Sequence, residues 1–453
     1  MQLTLREIEN ITGGRLVGTD VTVSAVTIDS RTAADGALYV AICGDRFDGH
    51  DFCASAVQNG AAAVVCERIP DAEIPYVLVD STRQALLDIA SLHRRHCADV
   101  KIVGLTGSVG KTTTKEMVHA VLSEQFATIK TEGNLNNEIG MPKTLFRLTE
   151  STEAAVVEMG MSNFGEIERM TLACRPNLAI ITNIGVSHIE FLGSRDGILQ
   201  AKTEILKGMQ SGAPLILNGD DDKLWNYKNE NFRQIYFAIE NTRADILAKE
   251  IETVNGETFF TVCFHGSQTQ RVMIPTVGKH NVYDALAAFA AGLSLEIPPE
   301  KIAAGLRNYV PAGMRQRIRT VAEVTVIEDC YNASPDSQKA ALNVLSALPA
   351  QRKIAVLGDM LELGAYSETA HRTVGAYAAQ NGVDFLFCYG EASAWIADAA
   401  KETVQTAHFT DKAALTKALL KTVQAGDAVL FKASRGMALE EVIQKLYEEW
   451  NVK

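Results

Sequence analysis

The sequence predicts an α/β protein of three units: a small mixed α/β unit over residues 1–83, a central parallel-sheet unit with a phosphate-binding loop over 84–313, and a Rossmann-like unit over 314–453. Three observations predict it. A chain of 453 residues is long for a single core and suits about three domains. Short apolar runs alternate with helical stretches, as parallel sheets covered by helices require. A glycine-rich loop at Gly107 stands between one such run and a helix.

Taken in order, residues 21–23, 61–65 and 76–79 are apolar or β-branched runs separated by Gly- and Asp-rich loops. From 81 to 97, Ala85, Leu86, Ile89 and Leu92 fall at helical spacing, and His93-Arg94-Arg95-His96 reads as the solvated basic end of a linking helix. Residues 101–106 lead into the glycine-rich loop, and the helix beyond it puts Met117, Val118, Val121 and Leu122 on one face. Buried-strand candidates follow at 154–157, 178–182 and 214–218. Residues 245–275 change character and predict a β-hairpin around Val254-Asn255-Gly256-Glu257. Residues 280–295, rich in Ala and Leu, predict a helix. After Tyr309-Val310-Pro311-Ala312-Gly313 the alternation restarts, with strands at 324–327, 354–357, 385–389 and 429–432. Helices at 337–347, 367–381, 411–424 and 438–450 separate or follow them, the pattern of a second doubly wound sheet.

Composition narrows the function. At 47% hydrophobic and 22% charged, the chain is neither disordered nor fibrous. Asp plus Glu number 55 against 43 Lys plus Arg, a net charge of -12. A cationic footprint for nucleic acid or anionic membrane is therefore not expected, though one basic cleft for a phosphorylated ligand is compatible with it. The 8 Cys include no C-x-x-C pair and read as buried, reduced thiols of a cytoplasmic protein. Met1 to Glu7 shows no signal-peptide core, and the apolar stretch 285–295 is too short to span a membrane.

Gly107-Ser108-Val109-Gly110-Lys111-Thr112-Thr113 carries the clearest chemistry. Small residues let backbone N–H groups wrap phosphates, and the helix N-terminus adds partial positive charge. Lys111 can reach the terminal phosphates, and the Thr112 hydroxyl can take a Mg²⁺ position. The strict P-loop pattern asks for a glycine where Leu105 stands. Glu158 and His188 each follow a strand candidate, at the strand ends where open parallel sheets bind ligands. By residue type alone, Glu158 reads equally as a ligand or a surface carboxylate, and His188 as a hydrogen-bonded structural histidine. Lys202, in Ala201-Lys202-Thr203-Glu204, reads as a solvated helix lysine.

An ordered set of segments is more specific than any one of them. They are the Gly107 loop, Asn134-Leu135-Asn136-Asn137-Glu138-Ile139-Gly140, Glu158-Met159-Gly160, Thr182-Asn183-Ile184-Gly185-Val186-Ser187-His188 and Gly278-Lys279-His280-Asn281. Gly313-Met314-Arg315 and Asp329-Cys330-Tyr331-Asn332-Ala333-Ser334-Pro335 complete the set. It resembles the Mur ligase family, ATP-dependent amide-forming enzymes of peptidoglycan precursor synthesis. Asp29-Ser30-Arg31, Arg46-Phe47-Asp48-Gly49-His50-Asp51-Phe52, the Asn134–Asn137 run and Leu357-Gly358-Asp359-Met360-Leu361-Glu362-Leu363-Gly364 bring it nearest to members acting on D-alanyl-D-alanine.

The resemblance implies that Lys111 and the amides of Gly107, Ser108, Val109, Gly110, Thr112 and Thr113 hold ATP phosphates. It implies Mg²⁺ on Thr112 and Glu158, and a second cation on His188 and a carbamoylated Lys202. Asn281 is implied on the adenine side, beside His280, and Arg315, Asp329 and Tyr331 at the nucleotide on domain closure. Ser30 and Arg31 would meet the uridine diphosphate end of UDP-N-acetylmuramoyl-tripeptide, and Asn134, Asn136 and Asn137 its muramoyl-peptide. Asp336 and the loop from Asp359 to Gly364 are the candidates for D-alanyl-D-alanine. The implied reaction passes through an acyl phosphate, and the expected molecule is a monomer. Two departures from the family pattern stand out: Ser334 where Asn is usual, and Gln316-Arg317-Ile318 after Arg315 in place of an early acidic residue. Two other readings remain beside this one. One is a related ligase adding a single amino acid, of muramoyl-peptide or folylpolyglutamate type. The other is a P-loop NTP switch that ligates nothing.

Overall fold

The computed structural model describes residues 1–44, 47–311, 313 and 315–451. Arg46, Ala312 and Met314 of the segments above lie outside the described residues.

In the first unit, strands β1 (Arg15–Val17), β2 (Ala25–Thr27), β3 (Ala37–Val40), β4 (Ala61–Cys66) and β5 (Tyr76–Leu78) form a sheet in the order β1-β5-β4-β3-β2. Helix α1 (Leu5–Thr12) starts on a capping box made by Thr4 and Glu7. Helix α2 (Thr82–His96), capped by Ser81, joins two cores. Its Ala85, Leu86 and Ile89 pack into the first unit, while Leu87 and Ala90 pack into the second. The end of α2 is not the solvated basic tip that its composition suggests. His93 and Arg94 are buried, and the Arg94 guanidinium donates to the carbonyls of Cys174, Cys97 and Val100. Those carbonyls lie at a helix C-terminus and in the turn that follows α2, and a five-donor side chain satisfies all three at once. Of the cysteines, five are buried as expected, whereas Cys43 is exposed.

The central sheet is built on β6 (Lys101–Thr106), β7 (Thr128–Lys130), β8 (Ala154–Glu158), β9 (Leu178–Ile181), β10 (Pro214–Asn218) and β11 (Arg233–Ala238). The expected hairpin forms as β12 (Ile246–Val254) and β13 (Glu257–Phe264), and a third strand, β14 (Gln268–Ile274), follows. The order is β14-β13-β12-β11-β10-β9-β6-β8-β7. Strands β6 to β12 run parallel, but β13 and β14 are antiparallel, so the sheet is mixed and not wholly parallel. Helix α3 (Lys111–Ser123) buries Met117, Val118, Val121 and Leu122, the face read from its spacing. With helices α6 (Lys279–Ser294) and α7 (Pro299–Arg307) it covers one side of the sheet. Gly305 permits the close approach of α7, since a Cβ there would lie 2.6 Å from the Cα of Val121. Helices α4 (Glu166–Cys174) and α5 (Arg195–Thr203) cover the other side.

In the third unit the strands are β15 (Arg317–Val321), β16 (Val324–Glu328), β17 (Lys353–Gly358), β18 (Phe385–Tyr389), β19 (Gln405–Phe409) and β20 (Ala428–Lys432). They pair in the order β15-β16-β20-β17-β18-β19, with only the β15 edge antiparallel. Helix α8 (Pro335–Ala347) starts on a Ser334–Ser337 capping box, with Pro335 in its first turn. Ser334 thus fills the N-cap position, a role in which Ser and Asn are about equally good. Ala341 and Leu345 of α8 belong to the same apolar cluster as Met170 and Ala201 of the central unit, so the two units share packing.

Candidate active site

A cavity of about 440 Å³ opens where β6, β8 and β9 end. Register explains the convergence: Glu158 pairs with Leu105, and Ile181 with Thr106, so the three strands stop side by side. The loop after β6 is braced from the next strand end. Ser108 N–H donates to the Asn183 carbonyl at 3.1 Å, and Val109 N–H to Asn183 Oδ1 at 2.9 Å. Thr182 Oγ1 donates to the Val109 carbonyl at 2.6 Å. Gly107 packs so tightly on Thr182 that a Cβ would sit 1.9 Å from Oγ1; it shapes the loop from behind the cavity wall. Ser108, Val109, Gly110, Lys111, Thr112 and Thr113 face the cavity. Lys111 Nζ donates to the carbonyls of Gly107 at 2.7 Å and Ser108 at 3.3 Å. Burial lowers its pKa, and nearby Glu158 opposes that.

Glu158 is 1% exposed, so the surface-carboxylate reading of it falls. Thr112 Oγ1 donates to its Oε2 at 3.1 Å and Asn136 Nδ2 to its Oε1 at 2.8 Å, while Lys115 Nζ stands 3.5 Å from Oε2. Lys202 overturns its solvated reading too. It is 2% exposed on α5 and aims into the cavity. Among the described residues its Nζ has no hydrogen-bond or ion-pair partner. Burial, then the like charge of Lys111, holds the amine well below the usual lysine range. His188 also lines the cavity, in a left-handed conformation (φ 61°). Its Nδ1 lies 2.6 Å from Oε2 of Glu362 in the third unit, close but poorly aligned for a hydrogen bond.

The third unit and its connection supply the opposite wall, with Arg315, Gln316, Asp329 and Tyr331. The Arg315 guanidinium stacks 4.2 Å from the centre of the Tyr331 ring. Asn281 Nδ2 donates to the Val277 carbonyl and to Gln316 Oε1, each at 2.7 Å, and His280 Nε2 lies 2.8 Å from the same Gln316 oxygen. Gln316, in the segment that lacks the family's early acidic residue, is therefore anchored on the first turn of α6. Asn134 and Asn137 line the cavity as well, but Asn137 Oδ1 is already taken by the Gly140 N–H at 2.8 Å. Ser30 and Arg31 do not reach this cavity. Ser30 is buried in a turn of the first unit, and Arg31, its side chain 85% exposed, binds Asp29 at 2.7 Å. Asp336 stands over Gly185, where a Cβ would approach its Oδ2 to 2.8 Å. Asp359 accepts the Ser393 N–H at 2.6 Å and anchors a turn of its own unit.

Four cavity or near-cavity groups escaped the sequence reading. Lys115 follows Lys111 by one helical turn, a signal that could have found it. Lys432 ends the wholly buried strand β20 and binds Asp329 Oδ2 at 2.8 Å. Gln316 carried only the signal of its departure from the family pattern. Asp284, whose carboxyl burial pushes up to about 7, accepts from Thr114 Oγ1 at 2.7 Å; it lies one turn beyond Asn281. Among the described residues no three His, Cys, Asp or Glu side chains form a metal-ligand group. Thr112 with Glu158 is a hard oxygen set that suits Mg²⁺ when phosphates and water complete the shell. His188 with an unmodified Lys202 does not suit such a cation.

Fold and cavity together define a nucleotide-binding P-loop protein whose site is closed by a second α/β unit. The pattern described as Mur ligase middle domain matches residues 105–292, Mur ligase glutamate ligase domain matches 314–435, and Mur ligase family catalytic domain matches 22–94. The chain belongs to the Mur ligase family. It is 40% identical to the UDP-N-acetylmuramoyl-tripeptide--D-alanyl-D-alanine ligase of Bacillus subtilis (strain 168), over 98% of each chain. Its structure is similar to that of MurF from Acinetobacter baumannii, with a TM-score of 0.92, 33% identity and 99% of each chain covered. It is also similar to MurF ligase from Thermotoga maritima in complex with ADP, with a TM-score of 0.86 and 28% identity over 95% of this chain and 98% of that one.

Proposed function

We propose that this chain joins D-alanyl-D-alanine to UDP-N-acetylmuramoyl-tripeptide, converting ATP to ADP and phosphate, in peptidoglycan precursor synthesis. The observation that carries this reading is a single cavity shared by the phosphate loop, the Asn134–Asn137 segment and residues of the third unit. A switch needs the loop alone; a ligase needs a phosphate donor and two further substrates on facing walls.

A carboxylate is a poor electrophile. The peptide's terminal carboxylate attacks the γ-phosphorus in line, the bond to the β-phosphate oxygen breaks, and an acyl phosphate and ADP result. Lys111 stabilises charge spread over the γ-oxygens. The amine of D-alanyl-D-alanine then attacks the acyl carbon, loses a proton, and phosphate departs. Arg315, Asp329 and Tyr331 close over the nucleotide and limit water, which would hydrolyse the acyl phosphate. Asn281 serves the adenine side, Asn134 and Asn136 the muramoyl-peptide, and Ser30 and Arg31 the uridine diphosphate end. Thr112 and Glu158 would hold Mg²⁺, which when bound offsets repulsion between phosphates and an incoming carboxylate.

Lys202 is carbamoylated in this reading. A partnerless buried amine held neutral adds to CO₂; a C–N bond forms, one proton leaves, and the resulting anion faces Lys111. That anion would offer a second cation the oxygen ligand that the bare lysine lacks, with His188 offering a ring nitrogen beside it. Among the described residues no helix is long and apolar enough to cross a membrane, and we place the enzyme in the cytoplasm, as a monomer, where ATP and nucleotide sugars are found.

The test of specificity is a panel of acceptors with phosphate release as readout. D-alanyl-D-alanine should drive turnover and single amino acids should not. Turnover with a single amino acid alone would assign the chain to a neighbouring ligase type instead.

A further inference from the structure

Lys115 is a buried cation that the mechanism above leaves unused. It lies on α3 one turn beyond Lys111, so both side chains leave the same helical face. Its side chain is 0% exposed. Nζ stands 3.4 Å from Glu116 Oε1, 3.5 Å from Glu158 Oε2 and 3.4 Å from the carbonyl of Gly133. Glu116 has a second cation in contact, Lys130. Among the described residues Lys115 is the one cation within 4 Å of Glu158, while Lys111 acts on it from further away. A buried carboxylate without a close counter-charge is strongly disfavoured, so Glu158 relies on Lys115 for direct contact. The second Glu158 oxygen is held by Asn136. The pair therefore also docks the segment from Gly133 to Asn136 onto the phosphate helix.

We propose that Lys115 is the resident counter-ion of Glu158, a positioning residue that balances and aims this carboxylate so that a divalent cation binds there only together with nucleotide phosphates. Lys115 and a dication compete for the same oxygen. Alone, the dication must displace an ion pair that is already formed and must shed water to do so. With the phosphates it gains further oxygen ligands and more negative charge, and the balance tips. This rests on the reading that Glu158 takes a cation alongside ATP.

The test uses the full chain and Mg²⁺ without nucleotide, read by melting temperature and by calorimetric titration. Wild type and K115R should shift by less than about 1 °C at millimolar Mg²⁺, and K115M should rise by about 3 °C or more, since Mg²⁺ becomes the available counter-charge. The shift should vanish in K115M/E158Q. K115Q replaces K115M if the latter does not fold. A K115M or K115Q protein as indifferent to Mg²⁺ as wild type overturns the proposal, and so does a shift that survives in the double variant. E158Q alone separates the two layers: unchanged binding of Mg²⁺ with ATP would remove the reading on which the proposal rests, whatever Lys115 does.

Discussion

Asp284 and Lys202 show what burial does to groups whose type alone is uninformative. Between pH 4 and 7 the folded protein keeps a proton on Asp284 that the unfolded chain has lost, because its carboxyl is raised to about 7. Stability from this group therefore falls as pH rises through that window, and the penalty is fully present above about 7. Asp284→Asn should raise the unfolding free energy at pH 8 by an amount on the order of 2–4 kcal/mol, shrinking as pH falls towards 5. Midpoints measured across that range decide it, and a difference independent of pH would contradict the assignment. Lys202→Ala should lose about 10²-fold or more in turnover and recover part of it with a short free carboxylic acid supplying the missing oxygen ligand. An intact fold with no recovery would leave the carbamate without support. Lys202 was legible in the sequence only through its family; by spacing it is a helix lysine, because nothing local announces that α5 points that residue at a strand end. Glu158 was half legible: its place after an apolar run marks a strand end and the resemblance pairs it with Thr112, but nothing marks its contacts with Asn136 and Lys115.

At the scale of elements, sequence was most informative where strands are buried on both faces. The runs that became β6, β8, β9 and β10 are continuous and apolar, and their predicted limits agree with the structure within a residue. Strands β15 and β19 were not foreseen. Both are sheet edges: β15 is largely exposed and β19 has no fully buried residue, and an edge strand needs no apolar pattern to pair. The hairpin was read correctly from Asn255-Gly256, yet its docking on β11 depends on distant packing that no local signal carries. The phosphate loop is the element on which most depends. Gly110 opens α3 in a left-handed conformation (φ 85°), and a Cβ there would stand 2.5 Å from Asp284 Oδ1. Gly110→Ala should therefore cost about 2 kcal/mol of stability and weaken ATP binding at least as much as it weakens the fold. Calorimetric ATP titration beside a melting curve tests this; wild-type affinity would show that the loop does not cradle phosphate.

Across the whole molecule, the central and third sheets were legible because each shows a β/α alternation, whereas the closure was implied by the family resemblance alone and its contacts were not legible. No sequence pattern shows that His188 meets Glu362, or that Gln316 anchors the connection on α6. Those contacts put the third unit against the phosphate loop, where an acyl phosphate would need shelter. The net charge of -12 fits a protein that recognises anionic substrates through local devices rather than a broad basic surface. The central claim is coupling: ATP turnover is sustained only when both other substrates are present. The direct measurement is ADP formation with UDP-N-acetylmuramoyl-tripeptide, with and without D-alanyl-D-alanine, alongside mass analysis of the product. Sustained ADP release matched mole for mole by UDP-N-acetylmuramoyl-pentapeptide, and requiring both substrates, is the predicted result. ADP release that ignores either substrate, or that yields no pentapeptide, would contradict the account.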